Sequence, residues 1–407
     1  MKKILIADYV YTSQKVMKNQ AVLIDGRIVT IAPKSRVLKE HKDAEVIRYP
    51  KNSLLFPGLI NTHVHIEFSA NKTQLSYGDF ITWLYSVIEN REELMEQCGE
   101  ACMSEAIDAM LASGITTFGA ISSHGMDLKA CSEAKQNVIF FNELIGSQAA
   151  AADVLFDDFM QRLSLSRQVR REGFIPAVAI HSPYSVHPIL VKKALEVVKE
   201  QKLPLTAHFM ESVAEREWLD SSSGDFKVFF SKLLKQERAV TSSGAFLDMF
   251  EGVQTLFAHV VQANDAEYAQ IKKQGHAIIH CPISNRLLGN GALDLQKIDS
   301  MEIEWMVATD GLSSNYRLDL WEEMKIALFM HSDFPLQKLA KRLIAGVTSS
   351  PAKALGLAKG EIKEGYDADM IVLQLDDEPD EDLELHMILH RYEIIDTFIR
   401  GEQIQCR

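Results

Sequence analysis

Short apolar runs recur along the middle of the chain, and their last residues are polar in a regular way. Ser53-Leu-Leu-Phe-Pro57-Gly58-Leu-Ile-Asn-Thr-His63-Val-His65 is the first. Phe174–His181, Leu203–His208, Val253–His259 and Gly275–His280 follow, and Ile303–Asp310 ends in aspartate instead. Such runs suit strands buried on both faces. Segments of helical periodicity separate them, which predicts a parallel sheet with helical crossovers. Eight strand candidates end near His63, Ile121, Leu144, His181, His208, His259, His280 and Asp310. Ligand-type residues at the carboxyl ends of successive buried strands mark the catalytic face of a (β/α)8 barrel. One expected unit is a helix over Glu92–Ala112, stopped by Ser113-Gly114 and followed by the strand Ile115–Ile121.

The ends of the chain have another rhythm. Short β-like runs begin at Ile4, Gln20, Arg27 and Glu45, with Asp25-Gly26 as a hairpin turn. Similar runs begin at Asp369, Glu393 and Gly401. The predicted fold is α/β: a TIM-type barrel over residues 53–365 and a small β-sandwich composed of residues 1–52 and 366–407. A long insertion after His208, holding Trp218, Phe226, Phe229 and Phe230, is expected to form an elaborated loop and helix. The acidic run 376–382 reads as a solvated loop.

Composition narrows the function. Hydrophobic residues make up 47% and charged residues 24%, which are ordinary globular values. The net charge of −13 argues against a nucleic-acid surface, which needs clustered Lys and Arg. No apolar run reaches membrane-spanning length, and no signal-like segment precedes Asp8. Cys98, Cys102, Cys131, Cys281 and Cys406 are odd in number and unpatterned. Cys98 and Cys102 read as helix packing, and a reducing, cytoplasmic location is expected.

The strand ends carry the chemistry. In an extended strand, residues i and i+2 face the same side, so His63 and His65 can reach one metal ion. His208 and Asp310 complete a set of imidazoles and one carboxylate, the donors of a catalytic zinc site with a position left for water. One divalent ion is expected, zinc first and iron as the alternative. Asp310 can also accept a proton. Glu211, just past His208, is placed to shuttle protons. His259 is placed to hydrogen-bond the attacking water or the tetrahedral oxygen.

The chain resembles the amidohydrolase superfamily, in its branch of chlorohydrolases and nucleoside-type deaminases. Pro57–His65, Thr206–Glu211 and Ala308–Asn315 look like the family's signatures for strands one, five and eight. Ser349–Leu357 and Gly360–Asp369 are similar to its return into the sandwich. Binuclear members carry a bridging lysine at strand four. His181 stands there in this chain, which implies a single metal. Tyr77–Arg91 resembles a segment covering the nucleoside in adenosine-type deaminases. Phe141–Gly146 and His181–Val186 resemble the subgroup acting on 6-amino-6-deoxyfutalosine, an adenine nucleoside with a 3-carboxyphenyl ketone in one menaquinone route. The resemblance implies hydrolytic loss of the 6-amino group, with Glu211 protonating N1, and a homodimer. Trp83, Glu143, His181, Ser284 and Asn285 are expected to bind substrate, and Arg91, Arg286 or Arg317 to meet its carboxylate. Adenosine, methylthioadenosine and S-adenosylhomocysteine stay open as substrates, as does hydrolysis of guanine or a triazine.

Overall fold

The structure, a computed structural model, describes residues 2–12, 15–71 and 74–404, without the side chains of residues 91 and 95–97. Cys406 and the Arg91 side chain therefore lie outside the described residues. The main body is an eight-stranded parallel sheet ordered by sequence. Its strands are Leu59–Val64, Ile115–Ser122, Asn137–Leu144, Phe174–Ile180, Leu205–Phe209, Leu256–His259, Ala277–His280 and Trp305–Val307. They match the runs predicted from hydrophobicity, because such buried strands have no polar face to obscure them. Inside, Ile121, Ile139, Phe141, Ala177 and Ala179 form one cluster, and Leu256, Ala258, Ala277, Ile279, Met306 and Ala308 another. Leu355 packs on both.

The first and last strands close the barrel mainly through side chains. Asn61 Nδ2 donates to Thr309 Oγ1 at 2.8 Å, and the Thr309 amide donates to Asn61 Oδ1 at 3.2 Å. The Asp310 amide then donates to the His63 carbonyl at 3.1 Å. This seam sets Asp310 beside His63.

Two predicted elements are divided. Residues 53–65 read as one run, but Ser53–Pro57 pairs antiparallel with Met370–Gln374 in a six-stranded sheet, and only Leu59–Val64 enters the barrel. The chain changes sheets at Gly58, where a Cβ would lie 2.2 Å from Thr116 Oγ1, so only glycine allows this approach. A second, four-stranded sheet faces the first across a core containing Leu5, Val22, Leu55, Met370 and Phe398. The long helix expected over Glu92–Ala112 is two helices, Phe80–Gln97 and Glu100–Ala112. Gly99 is extended between them, φ −70° and ψ 177°, where glycine weakens helix continuation. Asp79 caps the first of these, accepting from the Thr82 amide at 2.8 Å.

The insertion after strand five is three helices, Val213–Ser221, Gly224–Leu234 and Ser243–Met249. Their aromatic residues give them a core: Trp218 stacks on Phe230 at 5.1 Å, and Phe226 meets Phe80 edge-on at 6.0 Å. Helix Phe80–Gln97 is thereby held over the carboxyl end of the barrel. No described helix is long and apolar enough to cross a membrane.

His276, before strand seven, makes the fold acid-sensitive away from that end. Its Nδ1 accepts the Thr255 amide at 3.3 Å, so the ring is neutral, and Nε2 faces Gln274 Oε1 at 2.7 Å. Burial pushes its pKa down to about 4. The unfolded chain then binds the extra proton between that value and about 6.5, so stability is complete above this window and declines as pH falls through it. His276→Asn keeps an acceptor and removes the titration. The loss of unfolding free energy from pH 6.5 to 5 is expected to shrink by on the order of 1.5 kcal/mol. Urea titrations at both pH values check this; an unchanged difference refutes it.

Candidate active site

His63, His65, His208 and Asp310 converge at the carboxyl end of the barrel. The His63 ring lies 5.0 Å from that of His65 and 4.8 Å from that of His208, centroid to centroid. Asp310 Oδ1 is 3.8 Å from His63 Nε2 and 3.6 Å from His65 Nε2. The other oxygen, Oδ2, accepts from Ser284 Oγ at 2.7 Å and Ser314 Oγ at 2.8 Å. Those hydroxyls leave Oδ1 turned to the imidazoles. Burial pushes the Asp310 carboxyl up, but His65, His63, His259 and Ser284 together hold it well below the usual carboxylate range. Gly311 permits the packing, since a Cβ there would come within 2.8 Å of the His65 Cβ.

The donor set fits a metal ion. The ligand atoms of His63, His65 and Asp310 lie within 4.8 Å of one another, as do those of His63, His208 and His259. Neither ring nitrogen of His63 has a hydrogen-bond partner, although the residue is fully buried. A buried polar atom without a partner costs roughly 1–3 kcal/mol, which a coordinated ion at Nε2 would offset. His208 Nδ1 donates to the His181 carbonyl at 2.9 Å, leaving Nε2 as its free donor atom. Burial, with neighbouring imidazoles, lowers the pKa values of His63 and His208 well below the ordinary histidine value, so both rings are neutral, the form that can hold a metal.

His259 reaches this centre against the phase of its strand. The register pairs His208 with Ala258 and Phe209 with His259. A continued strand would turn His259 away from His208. Instead the backbone at His259 is left-handed, φ 70°, and remains so at Val260, φ 55°. Such angles are costly for these residue types, and the hydrogen bond between His259 Nδ1 and Asn285 Oδ1, 2.9 Å, helps hold them. His259 Nε2 lies 3.8 Å from Glu211 Oε1. Asn290 Nδ2 donates to the same oxygen at 3.2 Å. Burial, reinforced by the Asp310 charge, pushes the Glu211 carboxyl well above its usual range.

Above these groups lies a cavity of about 580 Å³. Trp83, Glu143 and His181 line it. Trp83 Nε1 donates to the Ser313 carbonyl at 2.8 Å, which fixes the ring. Glu143 Oε2 accepts from Ser123 Oγ at 2.5 Å, while its buried Oε1 accepts no hydrogen bond and lies 3.9 Å from His208 Nδ1. His181 Nδ1 meets Ser185 Oγ at 2.6 Å, and burial near His259 pushes its pKa down to about 4. Ser284 and Asn285 were expected against substrate. They are fully buried behind the cavity instead, bonded to Asp310 and His259, because both sit in the short helix Pro282–Leu287 that packs under those residues. Arg286 and Arg317 are exposed and do not line the cavity. Among the described residues its one lining Arg or Lys is Arg162, which no motif announced: it lies in helix Ala152–Ser166, well past strand three.

The amidohydrolase family profile matches residues 54–404. The chain belongs to the amidohydrolase family. Among curated relatives, this amidohydrolase is 48% identical to aminodeoxyfutalosine deaminase of a Nitratiruptor species, over 97% of each chain. It is 32% identical to an adenosine deaminase of Helicobacter pylori, over 99% of this chain and 100% of the other. Its structure is similar to that of Helicobacter pylori aminofutalosine deaminase in complex with methylthio-coformycin. The TM-score is 0.94 at 32% identity, covering 99% of this chain and 100% of that one.

Proposed function

We propose that this amidohydrolase removes the 6-amino group of aminodeoxyfutalosine by hydrolysis, with one zinc ion held by His63, His65, His208 and Asp310. The observation that carries the reading is the buried Glu211 carboxyl beside that centre at the cavity floor, its Oε1 3.8 Å from His259 Nε2 and its pKa raised by burial. The near-full-length likeness to the Nitratiruptor enzyme supports the substrate. The reaction consumes water and releases futalosine and ammonia, within menaquinone biosynthesis.

A bound divalent cation lowers the pKa of water to roughly 7 and so supplies hydroxide at neutral pH. The remaining work falls to the chain. Glu211 gives its proton to N1 of the adenine ring, which makes C6 electrophilic. Asp310, held ionised, takes a proton from the attacking water, while His259 hydrogen-bonds that oxygen through Nε2. Glu211, now ionised, takes the remaining proton of the attacking oxygen and passes it to the departing amine, and the proton held by Asp310 restores its acid form. Trp83 covers the purine, and Glu143 and His181 hold the nucleoside by hydrogen bonds. A cytoplasmic location is part of the reading: the described cysteines are free thiols, and Cys98 and Cys102 meet as thiols with sulfurs 3.1 Å apart.

The test compares kcat/KM for aminodeoxyfutalosine, adenosine and methylthioadenosine in one buffer. A charge-assisted contact to the carboxylate contributes roughly 1.5–3 kcal/mol, so a preference of about ten- to hundredfold for aminodeoxyfutalosine is expected. Equal values for the neutral nucleosides would instead indicate a general adenine-nucleoside deaminase.

A further inference from the structure

We infer that Arg162 is the specificity residue for an anionic, aryl-bearing substituent on the nucleoside; this rests on the deaminase reading above. The cavity is more than the metal centre. One wall is apolar, formed by Leu84, Val87, Ile88, Leu155 and Phe229. Arg162 is the only Arg or Lys among the described residues that line it. An apolar wall beside one guanidinium suits an aromatic ring bearing a carboxylate, and offers a neutral alkyl substituent only half of the match.

The guanidinium is fixed in place before any ligand arrives. Its Nη2 donates to the Glu143 carbonyl at 2.9 Å, Nη1 to the Ser122 carbonyl at 3.4 Å, and Nε to Asp158 Oδ2 at 2.9 Å. Those bonds use three of five N–H donors and leave one on each terminal nitrogen for an anion. The carbonyls belong to the ends of strands two and three, so the cation is registered to the barrel itself. Gly125 packs against its stem: a Cβ there would lie 3.3 Å from Arg162 Cδ. The Arg162 side chain is 13% exposed, whereas that of Asp158 is 63% exposed. Asp158 holds Nε from the rim of the cavity, and its largely exposed carboxylate opposes an incoming anion.

The experiment measures kcat/KM for aminodeoxyfutalosine and methylthioadenosine with wild type, Arg162→Gln and Asp158→Asn, each loaded with zinc. Arg162→Gln is expected to lower the value for aminodeoxyfutalosine about ten- to hundredfold, chiefly through KM, and to leave methylthioadenosine within about threefold. Asp158→Asn is expected to move the ratio of the two values the other way. Equal losses on both substrates would mean that Arg162 only braces the two carbonyls, and the assignment is overturned. It is also overturned if Arg162→Gln fails to fold and Asp158→Asn leaves the ratio unchanged. Wild-type enzyme inactive on both nucleosides removes the deaminase reading, and the assignment with it.

Discussion

Glu211→Gln is expected to lower turnover by at least about a hundredfold, the usual scale for loss of a general acid–base group. The side chain keeps its size and can still accept from Asn290, which now bonds Oε1 at 3.2 Å. What disappears is the proton. Glu211 is buried and faces the Asp310 charge, and both effects raise the carboxyl above its usual range, toward the acid form. A glutamine there can donate a hydrogen bond to N1 but cannot transfer a proton or recover one for the amine. KM is expected to change little, because the ground-state contact survives. Metal content should be unaltered, since Glu211 is outside the four-residue donor set. Saturating kinetics with metal analysis of the same sample is the check. Turnover within a few-fold of wild type would assign the shuttle to Asp310 or His259.

Much of this site was readable because barrel strands are buried on both faces and stop at the chemistry. His63, His65, His208, His259 and Asp310 each close an apolar run, and the structure brings all of them to one end of the sheet. Chain order could not show the seam. Asn61 and Thr309 are separated by nearly the whole barrel, and only closure lets their side chains replace a backbone ladder. Nor could it show how His259 escapes the alternation of its strand, because a left-handed residue other than glycine leaves no mark in the sequence. Ser284 and Asn285 were legible as near the site but not as behind it. A helix of one and a half turns sends neighbouring residues in different directions, and here Ser284 goes to Asp310 and Asn285 to His259 rather than to the cavity. Arg162 was illegible for a simpler reason. Its place depends on how helix Ala152–Ser166 lies against strand three, and tertiary packing sets that.

Removal of the metal is expected to abolish activity and to lower stability together. His63, His65 and His208 bring three neutral imidazoles to one point, and their nearest acid, Asp310, has already committed Oδ2 to Ser284 and Ser314. Without an ion, Nε2 of His63 is buried and unpartnered, and the seam between strands one and eight holds Asp310 against it. With free metal about a thousandfold above its Kd, binding adds about 4 kcal/mol to the folded state. Dialysis against a chelator should therefore lower the thermal midpoint as well as end turnover, and one equivalent of zinc should restore both. Asp310→Asn keeps the seam hydrogen bond, which uses the backbone amide, but loses the anionic ligand. It should bind metal more weakly while the apo protein keeps its fold by circular dichroism. Two equivalents at full activity would require a second ion, with Glu143 and His181 the groups able to share one with His208. Full activity with no metal bound would refute the assignment of all four ligands.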